Sequence, residues 1–355
     1  MKAFLTLQNG RVFEGESFGA AGEAVGEIVF TTAMTGYNKT LTDPGYCGQI
    51  VVQTFPLIGN YGVITPEFES DGIFLSAYIV RDWCRHPSNF RSEGDIDAFL
   101  KEKNVIGLCG IDTRELTGII RENGIMNAKI TDKAPDVAEV VRELESFSFR
   151  NPVAKVTTDK VVIDTPENKK HRVILWDFGV KKSLKDALLL RGCEVVTVPA
   201  KISAQDIMDL SPDGIVLSNG PGDPSDDMQI ISEIKNICKT DIPVFGICLG
   251  HSLLALANGG RTEKLKYGHH GGSQPVCEVK TGKVFITTQN HCYAVDSESV
   301  PDTAVITYRN ANDGSCEGLE YPGKKIFSVQ FHPETVSGQF NTSFLFDKFI
   351  KLMED

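Results

Sequence analysis

No stretch of the sequence approaches the roughly 20 apolar residues that a membrane-spanning helix needs, so no membrane partner is expected. The opening, Met-Lys-Ala-Phe-Leu-Thr-Leu-Gln-Asn-Gly, turns polar too soon for a secretory signal, and the expected location is cytoplasmic. Cys-x-x-Cys is absent. The nine cysteines, at 47, 84, 109, 193, 238, 248, 277, 292 and 316, are odd in number and scattered, which argues against a disulfide framework and against a zinc site. Most are expected to be reduced, buried small hydrophobes. Positive charge is in deficit, with 36 Lys and Arg against 47 Asp and Glu and a net charge of −11. No basic run interrupts that balance, so no nucleic acid is expected as a partner. Internal repeats and low-complexity tracts are missing too. What remains is an ordinary globular composition, 41% hydrophobic and 23% charged over 355 residues. At roughly 150 residues per domain this predicts two domains, each large enough to bury a core.

The first part reads as a mixed β/α domain. Phe4 to Leu7, the turn pair Asn9-Gly10 and Val12-Phe13 form a hairpin signal. Strand-like runs follow at Glu27 to Thr31, Ile50 to Thr54 and Ile73 to Val80. Helical periodicity appears at Ile96 to Lys103, Arg114 to Arg121 (with Gly124 as C-cap) and Val137 to Leu144. Residues 151–171 carry two prolines, many charges and few large apolar groups, with only Val161 to Ile163 suggesting a strand. A linker is placed there, between domains at 1–150 and 172–355.

From Arg172 onward strands and helices alternate. The strands are Val173 to Trp176, Val195 to Val198, Gly214 to Leu217 and Val244-Phe245; the helices are Leu184 to Leu190, one capped by Ser203, Ile230 to Ile237 and Leu253 to Ala257. This pattern predicts a mostly parallel α/β sheet with helices on both faces. Short strands at Val284 to Thr288, Ala304 to Tyr308 and Lys325 to Phe331 and a helix from about Thr342 to Leu352 complete it.

Gly246-Ile247-Cys248-Leu249-Gly250 lies directly between an apolar strand and an apolar-periodic helix. It has the form of a nucleophile elbow, in which flanking glycines make room for a central residue projected from the sheet's carboxyl edge. The partial positive charge of the helix N-terminus favours a thiolate at Cys248. A nucleophile needs a base, and His332 ends the run Ile326 to Phe331, with Glu334 two positions on. In this order Cys248 attacks, His332 carries the proton and Glu334 fixes the imidazole tautomer. An oxyanion would be held by the backbone N–H of Leu249 and by the loop Asn219-Gly220-Pro221-Gly222-Asp223-Pro224. Gly318 to Lys325 mimics a phosphate-binding loop, but Lys325 replaces the required Ser or Thr, so a turn is expected. His269-His270 lacks further ligands at a metal-like spacing, so a loop and no metal are expected.

Together the elbow G-I-C-L-G-H, the loop S-N-G-P-G-D-P, Gln289-Asn290-His291 and the closing F-H-P-E resemble the class I glutamine amidotransferase family. Val25-Gly26-Glu27, Met34-Thr35-Gly36-Tyr37, Leu41-Thr42-Asp43-Pro44 and Gly110-Ile111-Asp112-Thr113-Arg114 resemble the small-subunit family of carbamoyl-phosphate synthetase, so the likeness spans essentially the whole chain. The resemblance implies that L-glutamine is hydrolysed through a glutamyl thioester on Cys248, with His332 and Glu334 as partners. The ammonia would pass to a large subunit, docked mainly on residues 1–150, that uses bicarbonate, ATP and Mg to make carbamoyl phosphate for arginine or pyrimidine synthesis. No cofactor is implied on this chain.

It also implies glutamine contacts at Gly45, Gly220, Gly222, Leu249, Ser252, Asn290, Cys292 and Tyr293. Three of these depart from the family pattern: Gly45 stands for a serine, Ser252 for a glutamine and Cys292 for a glycine. A neighbour or a water is expected to supply the reach that Ser252 lacks. The elbow and triad alone also allow a cysteine hydrolase of another substrate, and the three departures allow a catalytically weakened assembly or regulatory subunit.

Overall fold

The computed structural model describes residues 1–335 and 342–355. The chain divides into two compact units, Met1–Pro152 with Lys266–His270, and Val153–Leu265 with Gly271–Asp355.

In the first unit seven strands close into a barrel, in the order Lys2–Leu7, Val12–Gly19, Ile106–Cys109, Ala77–Ile79, Gln49–Gln53, Ala24–Thr31 and Met126–Thr131. The first two are the antiparallel hairpin that Asn9-Gly10 announces, with Gly10 at φ 83°. Alternate residues of each strand point inward, so Ile28 and Phe30, Ile50 and Val52, and Ala77 and Ile79 share one core with Leu5 and Leu7. The helix Thr113–Asn123 starts where the Asp112 carboxylate accepts the N–H groups of Arg114 and Glu115, and it ends at Gly124 with φ 89°. Its Leu116 and Ile120 bury against the barrel core. Ile73 to Val80 yields only the short strand Ala77–Ile79. The strands Ile106–Cys109 and Met126–Thr131 escape sequence reading because both owe their place to partners distant in the chain.

The second unit holds a ten-stranded sheet in the order Val162–Asp164, Cys193–Pro199, His171–Asp177, Gly214–Leu217, Val244–Ile247, Ile326–Val329, Cys316–Tyr321, Val284–Val295, Thr262–Glu278 and Val305–Asn310. From Cys193–Pro199 to Ile326–Val329 all neighbours are parallel. Both faces are covered, as the near-continuous apolar runs require. Ile174, Trp176, Ile215 and Leu217 face one apolar layer with Ile230, Ile234 and Leu253. Val173, Leu175, Val216 and Phe245 face the other with Leu184, Leu188, Phe346 and Phe349.

Three sequence expectations need correction. The segment read as a linker belongs from Val153 onward to the second unit: Val153 is in its core, and Val162–Asp164 adds an antiparallel edge strand. Burial of a few apolar anchors outweighs the polar composition. His269-His270 lies in the long strand Thr262–Glu278 rather than in a loop, both side chains being buried. Gly318 to Tyr321 belongs to the strand Cys316–Tyr321, antiparallel to Ile326–Val329, and only the residues between these strands turn.

Candidate active site

The register of the parallel strands decides which loops meet. Trp176 pairs with Leu217, Leu217 with Gly246, and Ile247 with Val329, so four strands end at one carboxyl edge. In such a sheet this edge is where ligands bind. Four segments leave it side by side: 177–181, 218–224, Cys248 with its helix Leu249–Ala257, and 330–334.

Cys248 has φ 54° and ψ −107°, a strained conformation for a residue with a side chain. Its surroundings over-determine it. The Cys248 N–H donates to Val329 O at 2.9 Å, and the Cys248 carbonyl accepts from the N–H groups of His251 (3.0 Å) and Ser252 (3.2 Å). The flanking glycines are required: a Cβ at Gly250 would lie 2.3 Å from Leu217 O, and one at Gly246 2.8 Å from Gly250 O. At Gly220 a Cβ would sit 2.3 Å from Phe178 O. Gly222, at φ 99°, is exposed in the same loop.

His332 and Glu334 are both buried, and His332 Nδ1 stands 2.9 Å from Glu334 Oε1. The opposite ring nitrogen, Nε2, is buried without a hydrogen-bond partner. Nδ1 is therefore the anchored end and Nε2 the end left for proton transfer. Burial and the Lys181 ammonium oppose a charge on this ring, but the Glu334 carboxylate and the Cys248 sulfur outweigh them and hold His332 up at about 9. Burial alone would raise Glu334; Lys181 and His332 instead hold its carboxyl well below the ordinary range.

Of the other expected contacts, Leu249, Ser252, Asn290 and Cys292 are buried in this unit. The Cys248 thiol donates to Asn290 O at 3.5 Å. Tyr293 is half-buried, with the Lys264 ammonium 5.8 Å from its ring centre. The neighbour of Ser252 is Gln330, whose Oε1 accepts from the Ser252 hydroxyl at 3.4 Å. Gly45 lies in the first unit, on the turn Pro44–Tyr46, where its N–H donates to Asp43 Oδ1 at 2.8 Å.

Sequence reading missed Lys181. Its Nζ lies 2.7 Å from Glu334 Oε1, and both side chains are buried. The loop that carries it is pinned by Asp177, which accepts N–H donors from Thr158 (2.7 Å), Gly179 (2.8 Å) and Val180 (2.8 Å). Asn219 adds a bond from Nδ2 to Gly179 O at 2.8 Å. The signal was the position of Asp177-Phe178-Gly179-Val180-Lys181 directly after a strand of the parallel sheet. Gln330 was missed as well; its Nε2 lies 3.7 Å from Cys248 Sγ.

A strained thiol beside a buried imidazole–carboxylate pair can form and hydrolyse an acyl thioester. Two family models match the chain: carbamoyl-phosphate synthase small chain, CPSase domain, over residues 5–130, and glutamine amidotransferase class-I over residues 174–352. The carbamoyl phosphate synthase small chain of Bacillus thuringiensis subsp. konkukian (strain 97-27) is 47% identical, covering 100% of this chain and 97% of its own. The carbamoyl phosphate synthase pyrimidine-specific small chain of Bacillus subtilis (strain 168) is 46% identical, covering 100% and 96%. Among solved structures, a glutamine amidotransferase from Thermotoga maritima is 19% identical with a TM-score of 0.39, over 52% of this chain and 84% of that one. Among the described residues no helix is long and apolar enough to cross a membrane.

Proposed function

The chain belongs to the carbamoyl-phosphate synthase small-chain family, and from that premise we propose that Cys248, His332 and Glu334 carry out its glutamine hydrolysis. It is a glutamine amidotransferase subunit, and a full-length match to small chains disfavours a hydrolase of other substrates or a decayed assembly subunit.

The observation that carries the assignment is the strained Cys248 at a strand end whose parallel neighbour leads directly into the His332–Glu334 pair. The Cys248 thiolate attacks the side-chain carbonyl of L-glutamine, and the C=O electron pair becomes an oxyanion. The Leu249 N–H and the backbone of the Gly220 loop stabilise that charge. As the C–N bond breaks, the His332 imidazolium gives its proton to the leaving nitrogen, which departs as ammonia and leaves a glutamyl thioester. His332, now neutral, takes a proton from water, whose oxygen attacks the thioester. The C–S bond then breaks and its electron pair returns to Cys248 as thiolate; glutamate leaves, and with His332 protonated the starting state is restored. Glu334 holds the ring in one tautomer throughout, and Lys181 holds Glu334.

Ammonia free in neutral water becomes ammonium, which is no nucleophile. A large subunit therefore collects it and, with bicarbonate, ATP and Mg, makes carbamoyl phosphate; residues 1–150 are its docking domain. Within the second unit, glutamine contacts fall to Gly220, Gly222, Leu249, Ser252, Asn290, Cys292 and Tyr293. The nine free thiols suit a reducing cytoplasm. The test is to assay Cys248→Ser in complex with the large subunit. Glutamine-dependent synthesis is expected to vanish while ammonia-dependent synthesis persists, and equal loss of both contradicts the assignment.

A further inference from the structure

We propose that Gln330 is a further catalytic residue of this site, donating its side-chain amide to the Cys248 sulfur to favour the thiolate, with Ser252 the positioning residue that orients that amide. The proposal rests on Cys248 being the nucleophile.

Gln330 follows the strand Ile326–Val329, and its backbone N–H donates to Glu317 O at 2.9 Å. Gln330 lies immediately past the strand end, two residues before His332. Gln330 is 1% exposed, and its Nε2 stands 3.7 Å from Cys248 Sγ. A side chain so buried has no water to satisfy it, and its two ends must be spent on protein groups. Oε1 accepts the Ser252 hydroxyl at 3.4 Å, and Ser252 is itself 1% exposed on the helix that Cys248 begins.

The two ends of the amide have opposite consequences for the sulfur. A thiol can donate to a carbonyl, and Asn290 O at 3.5 Å offers one. A thiolate is only an acceptor, so it is repelled by carbonyl oxygens and needs N–H donors. Gln330 presents such a donor while its oxygen engages Ser252. Turned over, the same amide would aim oxygen at the sulfur and favour the protonated, unreactive form. In this structure the Ser252 hydroxyl donates to the amide oxygen, the arrangement that leaves Nε2 facing the sulfur. Asn290 O thus suits the thiol, and Gln330 and the His332 imidazolium suit the thiolate. Hydrogen bonds to charged groups are the strong ones, and the effect is read directly in thiolate reactivity.

The experiment measures Cys248 alkylation by iodoacetamide from pH 6 to 10, by mass spectrometry on the full chain in its complex. Gln330→Leu is expected to slow alkylation at pH 7 about tenfold, with the rate converging on that of the parent at high pH, where thiolate forms unaided. Gln330→Glu, which keeps the shape and replaces the donor with an acceptor, is expected to be slower still at pH 7. Ser252→Ala is expected to slow the reaction about threefold, and Ser252→Thr, which keeps the hydroxyl, to restore it. In glutamine hydrolysis the Gln330 variants are expected to lose kcat with KM little changed. Parent-like alkylation curves in both Gln330 variants overturn the proposal, as does a uniform slowing at every pH, which would report altered access. If the Gln330 variants do not fold, the Ser252 pair decides: equal rates for Ala and Thr overturn it. Glutamine hydrolysis surviving in Cys248→Ser overturns the nucleophile assignment itself. Loss there together with parent-like Gln330 alkylation overturns only the role of Gln330.

Discussion

Lys181 Nζ and His332 Nδ1 approach the same carboxylate oxygen, Glu334 Oε1, at 2.7 Å and 2.9 Å. The lysine ammonium also opposes a charge on the histidine ring by direct repulsion. Removing it leaves a buried carboxylate with one charged neighbour fewer. Lys181→Met is expected to destabilise the protein by about 3 kcal/mol, the usual scale for breaking a buried pair. Thermal melting checks this; an unchanged melting temperature would mean that the carboxylate is already served by other groups.

The His332 value of about 9 sets the pH profile. Because the folded value lies above the ordinary 6.5, the charged ring contributes stability that is fully present below 6.5 and lost as pH rises through about 9. In the proposed reaction the imidazolium is also the proton donor to the leaving nitrogen. Glutamine-dependent kcat/KM is therefore expected to fall on an alkaline limb near pH 9, and His332→Asn to abolish glutamine turnover at every pH. A limb near 6.5 would contradict the ion-paired ring.

His251 behaves in the opposite sense. It is fully buried, its Nδ1 lies 2.8 Å from Ser328 Oγ, and burial lowers it from 6.5 to about 3. Between those values the unfolded chain binds a proton that the folded one refuses. Stability is lost as pH falls below 6.5, by up to about 1.4 kcal/mol per pH unit. Urea melts at pH 5 and pH 7 check it: His251→Asn is expected to reduce the difference between them.

Backbone strain at Cys248 predicts a trade between stability and activity. With φ at 54° and ψ at −107°, Cys248→Gly is expected to be more stable than Cys248→Ala by about 1 kcal/mol, both being inactive with glutamine. Comparing two inactive variants removes the thiol's own packing from the difference. Equal denaturation midpoints would show that the elbow is not strained.

The glycine before the helix interior gives a packing test. A Cβ at Gly250 would stand 2.3 Å from the Leu217 carbonyl oxygen, which belongs to a neighbouring strand and cannot swing aside. Gly250→Ala is expected to cost about 2 kcal/mol and to impair turnover by moving the elbow. Melting and glutamine kinetics on the same sample check both.

How much of this was legible beforehand depended on how local each feature is. The elbow could be read because strand, glycines, cysteine and helix are contiguous, and His332 and Glu334 because Pro333 spaces them at a strand end. The hairpin at Asn9-Gly10 and the caps at Asp112 and Gly124 are also settled within a few residues. Closure of the barrel was not legible, since Ile106–Cys109 and Met126–Thr131 pair with strands distant in the chain. Nor was the counting of residues 266–270 with the first unit, because no break in composition accompanies it.

By itself the sequence determined the chemical types at the site and the parallel character of the sheet, because nearest-neighbour stereochemistry and hydrophobic period carry that information. Tertiary structure alone decided which groups attend the thiol. Pairing of Ile247 with Val329 brings Gln330 to Cys248 Sγ, and the parallel edge brings Lys181, 153 positions away in the chain, to Glu334. In a string of letters Lys181 is a solvated charge and Gln330 a polar strand end. Burial of both against specific partners follows from register, and register is a property of the whole sheet.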